Sequence, residues 1–138
     1  MRKQRALVID DEPDIRELLS ITLERMNIDV ATAGDIATAT RELRANAIDL
    51  CLTDMRLPDG DGLSVVEWIQ KHKPHLPVAV ITAHGNIETA VRALKLGAFD
   101  FISKPLDVAA LRKLITATLK LGDSSESTLQ LQIGRAHV

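Results

Sequence analysis

Five short apolar runs, at residues 5–9, 28–32, 50–53, 78–82 and 99–103, alternate along the chain with stretches whose apolar positions recur at helical spacing. The runs read as strands and the stretches between and after them as amphipathic helices. In the first helical stretch Ile15, Leu18, Leu19, Thr22, Leu23 and Met26 share one face. Pro13 fits its first turn, and Asp14 and Glu17 suit its positive N-terminal end. Asp35 reads as the N-cap of a second helix with a stripe of Ile36, Ala39, Thr40 and Leu43. Leu63, Val66 and Ile69 begin a third, ended by Lys73-Pro74. Ile87, Ala90, Val91 and Leu94 mark a fourth, with Gly97 placed as a left-handed stop. Asp107 caps a fifth that carries Leu111, Leu114, Ile115, Ala117 and Leu121. Strict strand–helix alternation predicts an α/β fold, a doubly wound five-stranded, mostly parallel sheet with five helices. Ligands in such folds bind beyond the carboxyl ends of the strands.

Acid stands at two of those ends. The first run closes as Leu7-Val8-Ile9-Asp10-Asp11-Glu12-Pro13 and the third as Cys51-Leu52-Thr53-Asp54. If the two strands are parallel neighbours, Asp10, Asp11 and Asp54 converge and repel unless a hard cation is held among them. Mg²⁺ suits such a pocket, because it keeps several waters and also takes phosphate oxygens. Thr82 ends the fourth run and Lys104 follows the fifth. A carboxylate is a nucleophile towards phosphorus, and a cation, an ammonium and a hydroxyl can neutralise the equatorial oxygens of a transferring phosphoryl group. An ionised carboxylate needs no general base for that attack.

Composition narrows the classes. The chain has 138 residues, 46% hydrophobic and 26% charged, which suits one domain with a full core. A formal charge of −2 argues against bulk attraction to nucleic acid or to an anionic membrane. No run approaches the roughly 20 apolar residues of a membrane helix, and the apolar run behind Met1-Arg2-Lys3-Gln4-Arg5 is too short for a signal peptide. Cys51 is the single cysteine, so an internal disulfide is excluded and the cytoplasm is the expected compartment. From Gly122 the chain turns small and polar. Residues 122–138 are expected to be a linker whose end, Ile133-Gly134-Arg135-Ala136-His137-Val138, resembles a translated sequencing adapter. The rival reading of that tail is a natural stub of a following domain.

Val8-Ile9-Asp10-Asp11-Glu12, Leu52-Thr53-Asp54-Met55-Arg56-Leu57-Pro58-Asp59-Gly60-Asp61-Gly62, Ile81-Thr82-Ala83 and Lys104-Pro105 together resemble the receiver domain of bacterial two-component response regulators. The resemblance covers about residues 4–121, and Thr82-Ala83-His84-Gly85 and Gly97-Ala98-Phe99-Asp100-Phe101 are most similar to the NtrC group. It implies a flavodoxin-like strand order of 2-1-3-4-5. It further implies that Asp54 accepts a phosphoryl group from a sensor histidine kinase. Asp11, Asp54 and the main-chain carbonyl of Arg56 would then hold Mg²⁺ directly, with Asp10 acting through water and Thr82 and Lys104 touching the phosphoryl group. Thr82 and Phe101 stand at the switch positions, although Phe101 lacks the phenol that many relatives carry there. Ala83 would leave the site open, and Arg56 and His84 would flank its approach. The resemblance also implies a cis Lys104-Pro105 bond and a homodimer through the fourth helix, fifth strand and fifth helix. AAA+ and DNA-binding domains are expected in a longer parent and would drive σ54-dependent transcription, with no direct nucleic-acid binding by this domain.

Rival readings bear on the same residues. A pseudo-receiver would bind partners without phosphorylation. A haloacid-dehalogenase-type phosphatase would place an acid two positions after its nucleophile, where this chain has Arg56. Sustained turnover of phosphate monoesters would favour that phosphatase, whereas the receiver resemblance implies a regulatory domain, not an enzyme, with only self-catalysed phosphorylation and dephosphorylation of its aspartate. The bland reading of Phe101 is core; of His72, His75 and His84, surface; of Trp68, packing. Asp59 and Asp61 lack the downstream Glu of a calcium loop.

Overall fold

The computed structural model describes residues 3–83 and 85–120. His84, Leu121 and the tail at 122–138 lie outside the described residues, as do the readings attached to them. Counting only the strands of the main sheet, β1 is Arg5–Ile9, β2 Asp29–Ala33, β3 Leu50–Asp54, β4 Val78–Thr82 and β5 Asp100–Ser103. The helices are α1 Pro13–Arg25, α2 Ile36–Ala45, α3 Gly62–His72, α4 Ile87–Leu96 and α5, residues 108–120. The sheet is parallel throughout, in the order β2-β1-β3-β4-β5.

Side chains alternate across a strand, so the central strands feed two cores. Leu7, Ile9, Cys51, Val78 and Val80 face one layer and pack with Leu43 of α2, Val66 and Ile69 of α3 and Ala93 of α4. Ala6, Val8, Leu50, Leu52, Ala79 and Ile81 face the other, against Leu19 and Leu23 of α1 and Leu111, Leu114 and Ile115 of α5. Covering both faces explains why β3 and β4 are apolar without alternation. Burial raises the Cys51 thiol far above its usual range and leaves it inert.

Local chemistry sets most boundaries. Pro13 opens α1, and Asn27, at φ 65°, turns the chain out of it. The amides of Asn27 and Ile28 bond back to Glu24 and Leu23 there, so Ile28 packs at the helix end and the second strand runs one residue later than the apolar pattern suggests. Asp35 accepts from Thr38 N–H at 2.7 Å and Asp107 from Ala109 N–H at 2.9 Å, both as expected of N-caps. Gly97 ends α4 with φ 117°. The Lys104–Pro105 bond is cis. After β3, Arg56–Leu57 and Gly60–Asp61 form a short antiparallel pair where the Pro and Gly content suggested a plain loop.

Three faces differ from the apolar reading. On α4 the buried positions are Ala90 and Ala93, while Ile87 is 67% exposed and Val91 and Leu94 about 40% exposed. Small residues bring this helix close to its neighbours and leave the large ones outside. On α5 Thr118, not Ala117, faces inward, and its hydroxyl donates to Leu114 O at 2.6 Å. Phe101 is exposed rather than core, because β5 is an edge strand whose Ile102 takes the α1–α5 side. Trp68 does pack, against the core under α3, with His72 stacked on its ring at 4.4 Å.

One close approach ties the third helix to the end of β3. A Cβ on Gly62 would sit 2.2 Å from the Asp54 carbonyl oxygen and 3.2 Å from Met55 Cα, and Gly62 N–H donates to Met55 O at 2.8 Å. Neither backbone can yield without moving Asp54. Gly62→Ala is therefore expected to destabilise the fold by about 1–3 kcal/mol, the usual range for overpacking. A lowered urea midpoint at unchanged m value would bear this out.

Candidate functional site

The parallel sheet brings the C-terminal ends of β1, β3 and β4 side by side, since Ile9 pairs with Thr53 and Asp54 with Ile81. Asp10 leaves β1 as a fully buried acid, followed by exposed Asp11 and Glu12. Asp54 ends β3, nearly buried. Thr82 ends β4, also buried, and Lys104 follows β5. A cleft of about 380 Å³ opens over these ends, lined among others by Asp11, Glu12, Asp54, Arg56, Ala83 and Lys104. Thr82 is buried and is not among the residues that line it. Phe101, two residues before β5 ends, stands outside it.

Each acid is held by backbone donors. Asp10 Oδ1 accepts from Glu12 N–H at 2.9 Å, and Asp54 Oδ1 accepts from Met55 N–H at 2.8 Å. Arg16 reaches the Asp10 carbonyl at 2.7 Å, which braces the turn from the side of α1. The Lys104 ammonium lies 3.1 Å from Glu12 Oε1 and 3.4 Å from both Asp10 Oδ2 and Asp54 Oδ2. One cation thus serves three carboxylates.

That arithmetic leaves a deficit. Asp10 Oδ2 is buried and accepts no hydrogen bond among the described residues, having only the ion pair at 3.4 Å. Burial holds the Asp10 carboxyl above its usual range, and the Asp54 charge adds to the effect. Burial likewise raises Asp54, against the opposing pull of Lys104 and the Met55 amide. Burial alone would lower Lys104, but its bond to Glu12 and the charges of Asp54 and Asp10 hold it above the usual value.

Oxygens of Asp10, Asp11, Glu12 and Asp54 all come within 4.8 Å of one another. The donors are all oxygen, one is orphaned and buried, and the local charge is negative. A hard divalent cation fits this cluster; soft or nitrogen-preferring metals do not. No other such group of acids, His and Cys occurs among the described residues. A cavity of about 400 Å³ at the opposite end of the sheet is lined in part by His72 and His75, yet no set of ligands converges there.

The structure therefore brings together Asp10, Asp11, Asp54 and Lys104, with Arg56 and Ala83 also lining the cleft and Thr82 buried at the end of the neighbouring strand. Two residues escaped the sequence reading. Glu12 is the nearest partner of Lys104, and Asn86 lines the cleft while capping α4 through Thr89. The run of three acids before Pro13 was a signal for Glu12. Asn86 next to Gly85 was a weaker one, since Asn caps helices everywhere. Asp61 caps α3, accepting from Leu63 N–H at 2.7 Å, and Asp59 bonds to α2; neither faces the cleft.

Residues 6–116 match the family model of the response regulator receiver domain. The chain is 54% identical over 121 residues to the response regulator protein PilR of Pseudomonas aeruginosa, covering 88% of this chain and 27% of that protein. Among solved structures, the receiver domain of NtrX from Brucella abortus superposes with a TM-score of 0.80 at 39% identity, covering 83% of this chain and 98% of that one. The beryllofluoride-activated NtrC4 receiver domain dimer gives 0.81 at 34% identity, with 86% and 98% covered. The chain spans about a quarter of the length of the curated relatives it matches.

An acid whose pKa is raised by folding binds its proton more tightly in the folded state, so stability grows as pH falls through the raised value towards the ordinary 3.8. Without divalent metal at pH 7, Asp10→Asn and Asp54→Asn are each expected to unfold at higher urea than the parent. The gap should narrow as pH is lowered towards 4. Urea titrations at several pH values check this, and a lower midpoint for both variants at pH 7 would contradict it.

Proposed function

The chain belongs to the response regulator receiver domain family, as an NtrC-group member, and we propose that Asp54 is its phosphoacceptor. The observation that carries this reading is the convergence of Asp54 with a buried, unsatisfied Asp10 oxygen and the Lys104 ammonium at an open cleft. Asp11, Asp54 and the Arg56 carbonyl would hold Mg²⁺, with Asp10 acting through water. When bound, the cation offsets the clustered acids and neutralises phosphoryl oxygen charge.

A carboxylate oxygen of Asp54 attacks the phosphorus in line as the bond from phosphorus to the donor breaks and its electron pair leaves with the donor. Lys104, already 3.4 Å from Asp54 Oδ2, is placed to follow the charge onto a phosphoryl oxygen. Thr82 has its hydroxyl-bearing side chain buried at the end of the neighbouring strand, next to Asp54 in the sheet order. A short move of Thr82 towards the phosphoryl group would leave room behind it, and exposed Phe101 is the aromatic available to turn inward. The absence of a phenol removes one hydrogen bond from that inward state.

The phosphoryl donor in this reading is a sensor histidine kinase. The output is self-association through α4, β5 and α5, where Ile87, Val91, Leu94 and Phe101 form an exposed apolar strip. In a longer parent, AAA+ and DNA-binding domains would receive that change and act on transcription. The domain itself would be regulatory, cytoplasmic and without nucleic-acid contacts. No helix among the described residues is long and apolar enough to cross a membrane.

Intact mass after incubation with acetyl phosphate and Mg²⁺ tests the chemistry. One labile phosphoryl adduct is expected, absent from Asp54→Ala and from a chelated control. A folded protein that takes up no phosphoryl group from acetyl phosphate or from kinases would sink the assignment. For the output, sedimentation with and without beryllofluoride should show two different masses, and an unchanged mass would count against the proposed face.

A further inference from the structure

Helix α2 has no acid in its own first turn, yet its N-terminus is bound by one from elsewhere. Asp59 accepts from Ile36 N–H at 2.8 Å and from Ala37 N–H at 3.1 Å. With Asp35 bonded to Thr38 N–H, three successive free amides of the helix are satisfied by two carboxylates. At the other end Lys73 donates to the carbonyls of Leu43 and Asn46. Both grips match the sign of the helix dipole, and both come from residues that flank α3.

The two grips differ in what lies behind them. Lys73 ends α3, far from the cleft. Asp59 sits at the tip of the antiparallel pair in which Arg56 faces Asp61 and Leu57 faces Gly60. Gly60 presses the same tip onto α2, since a Cβ there would lie 2.7 Å from Ile36 Cδ1. At its base the pair is fixed by the Gly62 bond to Met55. The Arg56 main chain therefore spans two pins, one at Asp54–Met55 and one at Asp59.

We propose that Asp59 is a positioning residue for the cation site. Its double bond to the start of α2 holds the Arg56 main chain where the carbonyl can complete the coordination begun by Asp11 and Asp54. This rests on the reading above that the cluster takes Mg²⁺ and that Arg56 supplies its carbonyl. Asp59 touches neither the metal nor the phosphoryl group; it acts through the turn.

Lys73 supplies the control, because it steadies the same helix without touching that turn. Mg²⁺ affinity by calorimetry, thermal midpoint and the acetyl phosphate adduct would be measured for the parent, Asp59→Ala, Asp59→Asn and Lys73→Met. Asp59→Ala is expected to weaken Mg²⁺ binding by about tenfold, in the range seen when outer supports of a metal site are removed. Asp59→Asn keeps one acceptor oxygen and should fall between. Lys73→Met should lower the thermal midpoint by a similar few degrees while leaving Mg²⁺ affinity within about twofold. An Asp59→Ala protein with parental Mg²⁺ affinity, or equal weakening in Lys73→Met, would overturn the proposal and leave Asp59 a helix cap alone. A parent that binds no Mg²⁺ would instead remove the cation reading itself, and this inference with it.

Discussion

Two buried carboxylates and one ammonium at the C-terminal ends of the strands of a parallel sheet set the terms for the rest of this domain. Asp10 and Asp54 are carried out of water by the strands they terminate, and Lys104 must divide its charge between them and Glu12. Such a grouping is unfavourable in isolation, since each acid loses hydration and sits near another. It persists because the apolar strands beneath are fixed on both faces. The repulsion is local, and the all-oxygen cluster around it fits a hard cation.

The surrounding architecture keeps that grouping from relaxing. Arg16 braces the Asp10 carbonyl, Met55 and Glu12 amides hold one oxygen of each acid, and Gly62 packs α3 directly on the Asp54 backbone. The antiparallel pair after Asp54 is bound in turn to the start of α2 through Asp59. These supports fix the backbone on both sides of Asp54. Helix α4 is differently built: it presents Ala90 and Ala93 inward and leaves Ile87, Val91 and Leu94 in solvent. A helix seated on alanines holds its position with fewer deep anchors than α3, whose Val66 and Ile69 are fully buried. Phe101, also exposed, lies on the edge strand β5.

Alternating periodicity, caps and acidic strand ends made most of the plan legible in the chain itself. Strands of continuous apolar residues could only be central and parallel, Asp35 and Asp107 announced their helices, and Asp10, Asp54, Thr82 and Lys104 stood where strand ends had to meet. These features depend on neighbours a few residues away, or on a rule of the fold that holds for any such sheet. Distant pairings were not legible. That Glu12 is the nearest partner of Lys104, that Asp59 serves a helix 22 or 23 residues earlier, and that Lys73 closes the other end of that helix all depend on where loops land. The outward turn of the α4 apolar residues was also hidden, because periodicity reveals a face without saying which face finds a neighbour. Sequence alone thus determined the order of elements and the chemistry at the strand ends, through local backbone preference and the alternation of apolar positions. Only the tertiary structure decided which charges share Lys104 and which apolar face stays in water, since both follow from packing between elements far apart in the chain.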